Sequence, residues 1–198
     1  MANMYSSVAM AEGRPTAVHE RTYDVEILPL CQDSRADPSI SSTASEVHKW
    51  TAKLTEICNK LCTINCLCIS KTERLDALAE VDESLRNWKQ SLPSDRQPGS
   101  DVPGDGETFL LVAPLHLEYF NLTRALHWAR IASLNSISET SDDQHRQLLR
   151  TSEMRCVSSA RSFVQTLNRC VYNKHVPYQV LLTAQASPTV GQAEARFQ

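Results

Sequence analysis

Apolar residues recur at Val47, Trp50, Leu54, Ile57, Leu61, Ile64 and Cys68, at alternating spacings of 3 and 4. This is a heptad seam, and it predicts a long helix. Ser45 is a suitable N-cap and Glu46 sits favourably in the first turn, so the helix is expected to start near Ser45. The flanking positions carry few opposite-charge pairs. The seam therefore reads as one face of a helix in a bundle rather than as a free coiled coil. A second apolar face, Leu75, Leu78, Leu85, Trp88 and Leu92, predicts a helix from about Ser70 to Ser91, with Asp82 and Glu83 outside and Leu92–Pro93 as its stop. A third helix is expected from Phe109 or Pro114 to about Leu134. It carries two stripes: Leu115, Tyr119, Leu122, Leu126 and Ala129, and Phe120, His127, Ile131 and Leu134. A helix apolar on two sides is expected at the centre of a bundle. After a polar break, SISETSDDQHR, a fourth helix is expected from Gln147 to Val171, with Val157, Ala160, Val164, Leu167 and Val171 as its stripe.

The segments around these helices have a different texture. GRPTAVHERTYDVEILP is bounded by Pro15 and Pro29, and Tyr23, Val25 and Ile27 alternate with Asp24 and Glu26. That period of two suits an extended arm lying on helices, since a single strand without a partner is marginal. Gln32 to Ser45 is rich in Ser, Asp and Pro and reads as a linker. PSDRQPGSDVPGDGET reads as a long disordered loop. YQVLLTA, between Pro177 and Pro188, suits a last helical turn or two, and the chain beyond it a frayed tail. The resulting organisation is an arm and linker over residues 1–45, a helical region over 46–183 and a disordered tail over 184–198.

Composition sharpens the fold class. The 198 residues include only five glycines, three of them between Gly99 and Gly106. Long glycine-free stretches suit helices and argue against a β-sandwich, a barrel or a glycine-rich phosphate loop. The expected class is therefore all-α: a multi-helix bundle with an extended N-terminal arm and long loops. The net charge of −3 offers no electrostatic footprint for gripping nucleic acid with this chain alone. No apolar run reaches the roughly 18 residues of a membrane span. MANMYSSVAM lacks the basic and apolar regions of a secretory signal. Seven cysteines, an odd number, then suit reduced thiols inside the cell.

The densest cluster of reactive side chains is ICNKLCTINCLCI. On a helix Cys58, Cys62 and Cys66 fall at i, i+4 and i+8 on one face, with Cys68 just beyond. Three thiolates there suit a soft metal such as Cu(I) or Zn(II). A closed zinc site needs a fourth ligand and uses short C-x2-4-C knuckles, which this spacing does not provide. Buried cysteine also packs as a small hydrophobe, and the cluster is read as a contact stripe beside the seam. His116 and His127, eleven residues apart on the third helix, lie on nearly one face with Glu118 nearby. They suit buried structural histidines better than a metal site. No H-E-x-x-H, G-x-S-x-G, S-x-x-K or P-loop occurs, and Cys156 has no sequence-specified base. No enzyme, cofactor or metal is expected.

Four pieces, taken in order, resemble one family. They are GRPTAVHERTYDVEILP, LAEVDESLRNWKQSLP, LHLEYFNLTRALHWARI and RCVSSARSFVQTL. Together they resemble the fungal-specific transcription factor domain, the middle homology region downstream of the binuclear zinc cluster in fungal regulators. The first piece carries Gly13, Arg14 and Pro15, then Asp24, Val25 and Pro29. The second carries Leu85, Trp88, Leu92 and Pro93. The third carries Tyr119, Phe120, Leu126 and His127, and the fourth Cys156 and Ala160. Trp128 and Ala129 stand where the family prefers Arg and Pro, so the third helix is expected to continue to about Leu134.

The resemblance implies a helical regulatory domain that controls transcription in the nucleus, of a metabolic or secondary-metabolite gene set. It implies a homo- or heterodimer with another transcription regulator, and a small-molecule effector, as candidate partners. No C-x2-C-x6-C array occurs in the sequence. The chain therefore resembles the C-terminal part of a regulator without its zinc cluster, and Met1–Glu12 supplies only the end of one of the helices that precede the GRP in the family. Two rival readings are a thiol-rich helical metal-binding protein or enzyme, and a non-functional fragment of a larger regulator.

Overall fold

A computed structural model describes residues 38–67, 69–100, 106–135 and 143–172. Among them the architecture is all-α: α1 (Pro38–Cys66), α2 (Lys71–Ser91), a 3-10 turn (Ser94–Arg96), α3 (Gly106–Asn135) and α4 (Asp143–Tyr172). The arm, the segment YQVLLTA and the tail lie outside the described residues.

α1 begins at Pro38, seven residues before the expected cap, so half of the expected linker is helix and Ser45 is internal to it. Proline at the first helical position loses no intrahelical bond, and its fixed φ suits the helix. The seam is buried as expected: Leu54, Ile57, Leu61 and Ile64 enter the core and Trp50 packs against it. Cys58 and Cys62 line the same core, beside the seam, whereas Cys66 is exposed.

α2 is the most completely specified element. Ser70 is its N-cap, and a capping box is closed by Glu73, whose carboxylate accepts from the Ser70 N–H at 3.0 Å. Each bond satisfies a donor that the helix cannot. The hydroxyl and amide of Ser70 hold the Glu73 carboxyl below its ordinary pKa. Leu78, Val81, Leu85, Trp88 and Leu92 are buried, and Leu92 closes the helix in extended backbone before Pro93. Asp82 does not lie outside, as expected; its side chain is only 14% exposed. It sits one residue from Val81 and faces α3 and α4.

Of the expected long loop, residues 106–108 are helix and the described residues 93–100 are built into turns. Ser94–Arg96 forms a 3-10 turn, a second turn with Gly99 at φ +90° follows and is closed by the Ser100 N–H donating to the Gln97 carbonyl at 2.9 Å, and Pro98 is fully buried. The His116 ring holds the turn, its Nε2 lying 2.9 Å from the Arg96 carbonyl. Arg96 in turn pairs with Glu46 at 2.6 Å and lies over the Trp50 ring. These contacts pin the turn to α1 and α3.

α3 runs from Gly106 straight through Pro114, which removes one i→i−4 bond without ending the helix. It is central, as expected. Its first stripe meets α1 and α2 through Leu115, Leu122, Leu126 and Ala129. Further round, Phe109, Ala113 and Leu117 form a second cluster with Phe163, Leu167 and Cys170 of α4. The helix continues to Asn135, in keeping with Trp128–Ala129 in place of Arg-Pro.

α4 starts at Asp143, four residues early, where an acidic residue favours the first turn. Its buried face keeps Leu167 of the expected stripe but not Val157 or Val164. Ser152, Ser159 and Cys170 are buried and Phe163 packs inward, whereas Val157 and Val164 are 49% and 53% exposed. The two stripes are about one residue apart around the helix. Small side chains let α4 approach α3 closely, and that orientation turns the valines to the surface. Among the described residues, no helix is long and apolar enough to cross a membrane.

Candidate functional site

The residues of the middle two pieces converge. Trp88 of α2 stacks on Tyr119 of α3, with ring centroids 5.6 Å apart and planes 18° from parallel. Tyr119 meets Phe120 edge-on, also at 5.6 Å. The Trp88 indole N–H donates to the Trp50 carbonyl at 3.0 Å, which ties α2 to α1. Leu85, Leu92 and Leu126 pack in the same core. Trp88 thus spans the junction of three helices, apolar on its faces and satisfied at its one polar atom. Pro93 leads from it into the 3-10 turn.

Six residues before Trp88, nearly two helical turns, lies the polar centre of the described residues. Asp82 is approached by three guanidinium groups, one from each of α2, α3 and α4: Arg86 at 3.5 Å, Arg130 at 3.5 Å and Arg155 at 3.2 Å. Arg86 also pairs with Glu83 at 2.6 Å. His127 completes the group, its Nε2 lying 3.9 Å from Asp82 Oδ1, beyond hydrogen-bond reach. The ring is 1% exposed, and neither nitrogen has a hydrogen-bond partner among the described residues.

Electrostatics follow from this placement. Burial pushes His127 down to about 4; the attraction of Asp82 is opposed by Arg130 and Arg155. The imidazole is neutral at physiological pH. Burial raises the Tyr119 hydroxyl, and its hydrogen bond with the Thr123 side chain opposes this. Cys156, next to Arg155, donates from its thiol to the Arg124 carbonyl at 3.9 Å, and burial raises its pKa. It is a packed thiol rather than an activated one. Arg124 donates to Asn121 at 2.9 Å, and burial lowers its pKa.

The cysteine face has the chemistry of a core. Cys58 keeps its proton: its hydrogen bond to Cys62, then burial and the Glu118 carboxylate, all push its pKa up. The same bond lowers Cys62, against burial and Glu118. Cys66 is exposed and Cys68 lies outside the described residues. Among the described residues, no three of His, Cys, Asp and Glu group as metal ligands. His116 and His127 do not share a site; one holds the 3-10 turn and the other faces Asp82.

Of the residues singled out by pattern, Leu85, Trp88, Leu92, Tyr119 and Leu126 therefore share the core of α1, α2 and α3, whereas His127 faces Asp82 and Cys156 of α4 bonds the Arg124 carbonyl of α3. Gly13, Arg14, Pro15 and Asp24 lie outside the described residues. Sequence reasoning missed Asp82, Arg86, Arg130 and Arg155. The available signal was spacing: Asp82 and Arg86 lie at i and i+4. An ordinary solvated pair has the same spacing.

No family model matches the sequence, and no solved structure matches it. Among curated proteins, the chain is 25% identical over 118 residues to an ABC-transporter-regulating transcription factor of Aspergillus oryzae (strain ATCC 42149 / RIB 40). The match covers 55% of this chain and 12% of that protein, so the matched region is a small part of the relative's length. Over that region the chain is similar to a fungal transcription regulator.

Proposed function

We propose that the chain is a regulatory helical region of a fungal transcription regulator, of the kind found downstream of binuclear zinc clusters. The observation that carries this reading is the 118-residue similarity to a fungal transcription factor. The core of α1, α2 and α3, where Leu85, Trp88, Leu92, Tyr119 and Leu126 meet, supports it. The chain acts in the nucleus on the expression of a metabolic or secondary-metabolite gene set. It acts by contact with another regulator, as a homo- or heterodimer, or by response to a small-molecule effector. It is not an enzyme, and it does not read DNA by itself.

Fusion to a heterologous DNA-binding domain tests the reading. Reporter output in a fungal host is expected to differ several-fold from that of the DNA-binding domain alone, and Trp88→Ala is expected to abolish the difference. Output equal to the bare DNA-binding domain would overturn the proposal. A gel-shift with a CGG-containing duplex is expected to show no salt-resistant complex of the isolated chain; such a complex would refute the statement on DNA.

A further inference from the structure

We propose that the polar centre at the junction of α2, α3 and α4 is a binding site for a small oxyanion, the carboxylate or phosphate group of a metabolite. Two observations converge on it. The first is charge balance. Arg86, Arg130 and Arg155 surround the single carboxylate of Asp82. Glu83 pairs with Arg86 alone, from the exposed side. Each guanidinium carries more N–H donors than a shared carboxylate oxygen can accept, so the cluster holds surplus positive charge and surplus donors. The second is His127. It is 1% exposed and faces Asp82, and both its ring nitrogens lack a partner among the described residues. A buried polar group left so is costly unless something else satisfies it.

The access is suited to a ligand. Arg86 and Arg155 are 48% and 47% exposed, whereas Arg130 and Asp82 are each 14% exposed. The two outer guanidiniums therefore flank an inner one, and they come from different helices. An oxyanion bridging Arg86 and Arg155 adds a link between α2 and α4 beside the one that Asp82 makes. Planar, forked guanidinium donors match carboxylate and phosphate geometry, which argues for these anions over halides. The site gives a ligand class to the effector in the proposed function. It rests on that reading only for its regulatory consequence, since binding is measured without a promoter.

The test is titration of the purified chain with sodium phosphate and, separately, sodium succinate, followed by calorimetry and thermal melting. Sodium chloride at matched ionic strength is the control. Saturable binding and a raised melting temperature are expected with at least one oxyanion and not with chloride; which one responds separates the phosphate from the carboxylate source. Arg155→Gln is expected to weaken binding about tenfold or more, the loss of one charge-assisted hydrogen bond. Its melting temperature in chloride should fall modestly through loss of the α4 tie to Asp82, so the two chains are compared below both transitions. Should Arg155→Gln fold poorly, Arg86→Gln carries the same expectation, and Arg146→Gln, remote on the surface, should bind as the parent does. Absence of saturable binding for both anions, or binding undiminished in the Arg155 and Arg86 variants, would overturn the inference. The reporter result under the proposed function would stand either way.

Discussion

Between α1, α2 and the inner face of α3 the buried side chains are mainly Leu, Ile, Val and Trp. Between α3 and α4 they are Ala, Ser and Cys, joined by Phe109, Leu117, Phe163 and Leu167 at one end. The first region is held by apolar area removed from water, which scales with side-chain size. The second is held by close approach of small residues and by arginines drawn to one carboxylate. α4 packs chiefly on α3 and reaches α2 through Arg155 and Asp82. The three-helix side therefore fixes the fold, and the α4 side is where a change of charge acts on helix position.

Trp88→Ala breaks this comparison at its strongest point. It removes the stack on Tyr119, the tie to the Trp50 carbonyl and a fully packed ring. A loss of about 3–5 kcal/mol is expected, read by urea unfolding. Cys170→Ala in the other cluster removes one small group and should cost about 1 kcal/mol. Equal losses would mean that both sides are packed alike.

Acid sharpens the comparison. Burial lowers His127 to about 4 from an unfolded value near 6.5, so the unfolded chain binds the proton first. The stability gained by keeping the ring neutral is present above the unfolded value and lost as pH falls from about 6.5 toward 4. The full loss is about 3 kcal/mol. Burial lowers His116 as well, so it adds a loss of the same sign. In His127→Phe the slope of stability against pH between these limits should shrink without vanishing. An unchanged slope would place the titration elsewhere.

Asp82→Asn removes the common partner of Arg86, Arg130 and Arg155 while keeping the shape. A loss of about 2 kcal/mol is expected, between the values for exposed and for buried pairs. Hydrogen exchange should quicken first in α4, the helix tied by Arg155, and least in α1. Uniform quickening would show that α4 and the three-helix side open as one unit.

Much of the first region was legible in sequence, and little of the second. The heptad seam of α1 and the Leu85–Trp88–Leu92 face work because one apolar stripe has one place to go. Asp82 eluded the pattern because a carboxylate beside an apolar face looks solvated until partners from two other helices arrive, at separations of 48 and 73 residues. The start of α1 at Pro38 was hidden in a serine-rich stretch that resembles a linker, yet it also supplies a proline fit for a first turn. The extent of α3 through Pro114 depends on burial, which outweighs one missing hydrogen bond.

The valines of α4 give the smallest and most discriminating effect. Val157, Val164 and Leu167 lie at helical spacing and form the more apolar stripe, so periodicity alone assigns them to the core. The helix instead buries Ser152 and Ser159 and leaves both valines about half exposed. The reason is distance. Serine and cysteine let the α3 and α4 backbones draw together, and a valine at those positions would hold them apart. Val157→Thr and Val164→Thr should therefore each change stability by no more than about 0.5 kcal/mol. Ser159→Val, which adds bulk where α4 meets α3, should cost about 1–3 kcal/mol by overpacking. Equilibrium unfolding of the three variants decides between the stripes. If both threonine variants lose more than the Ser159 variant, α4 is rotated toward its valines and Arg155 no longer reaches Asp82.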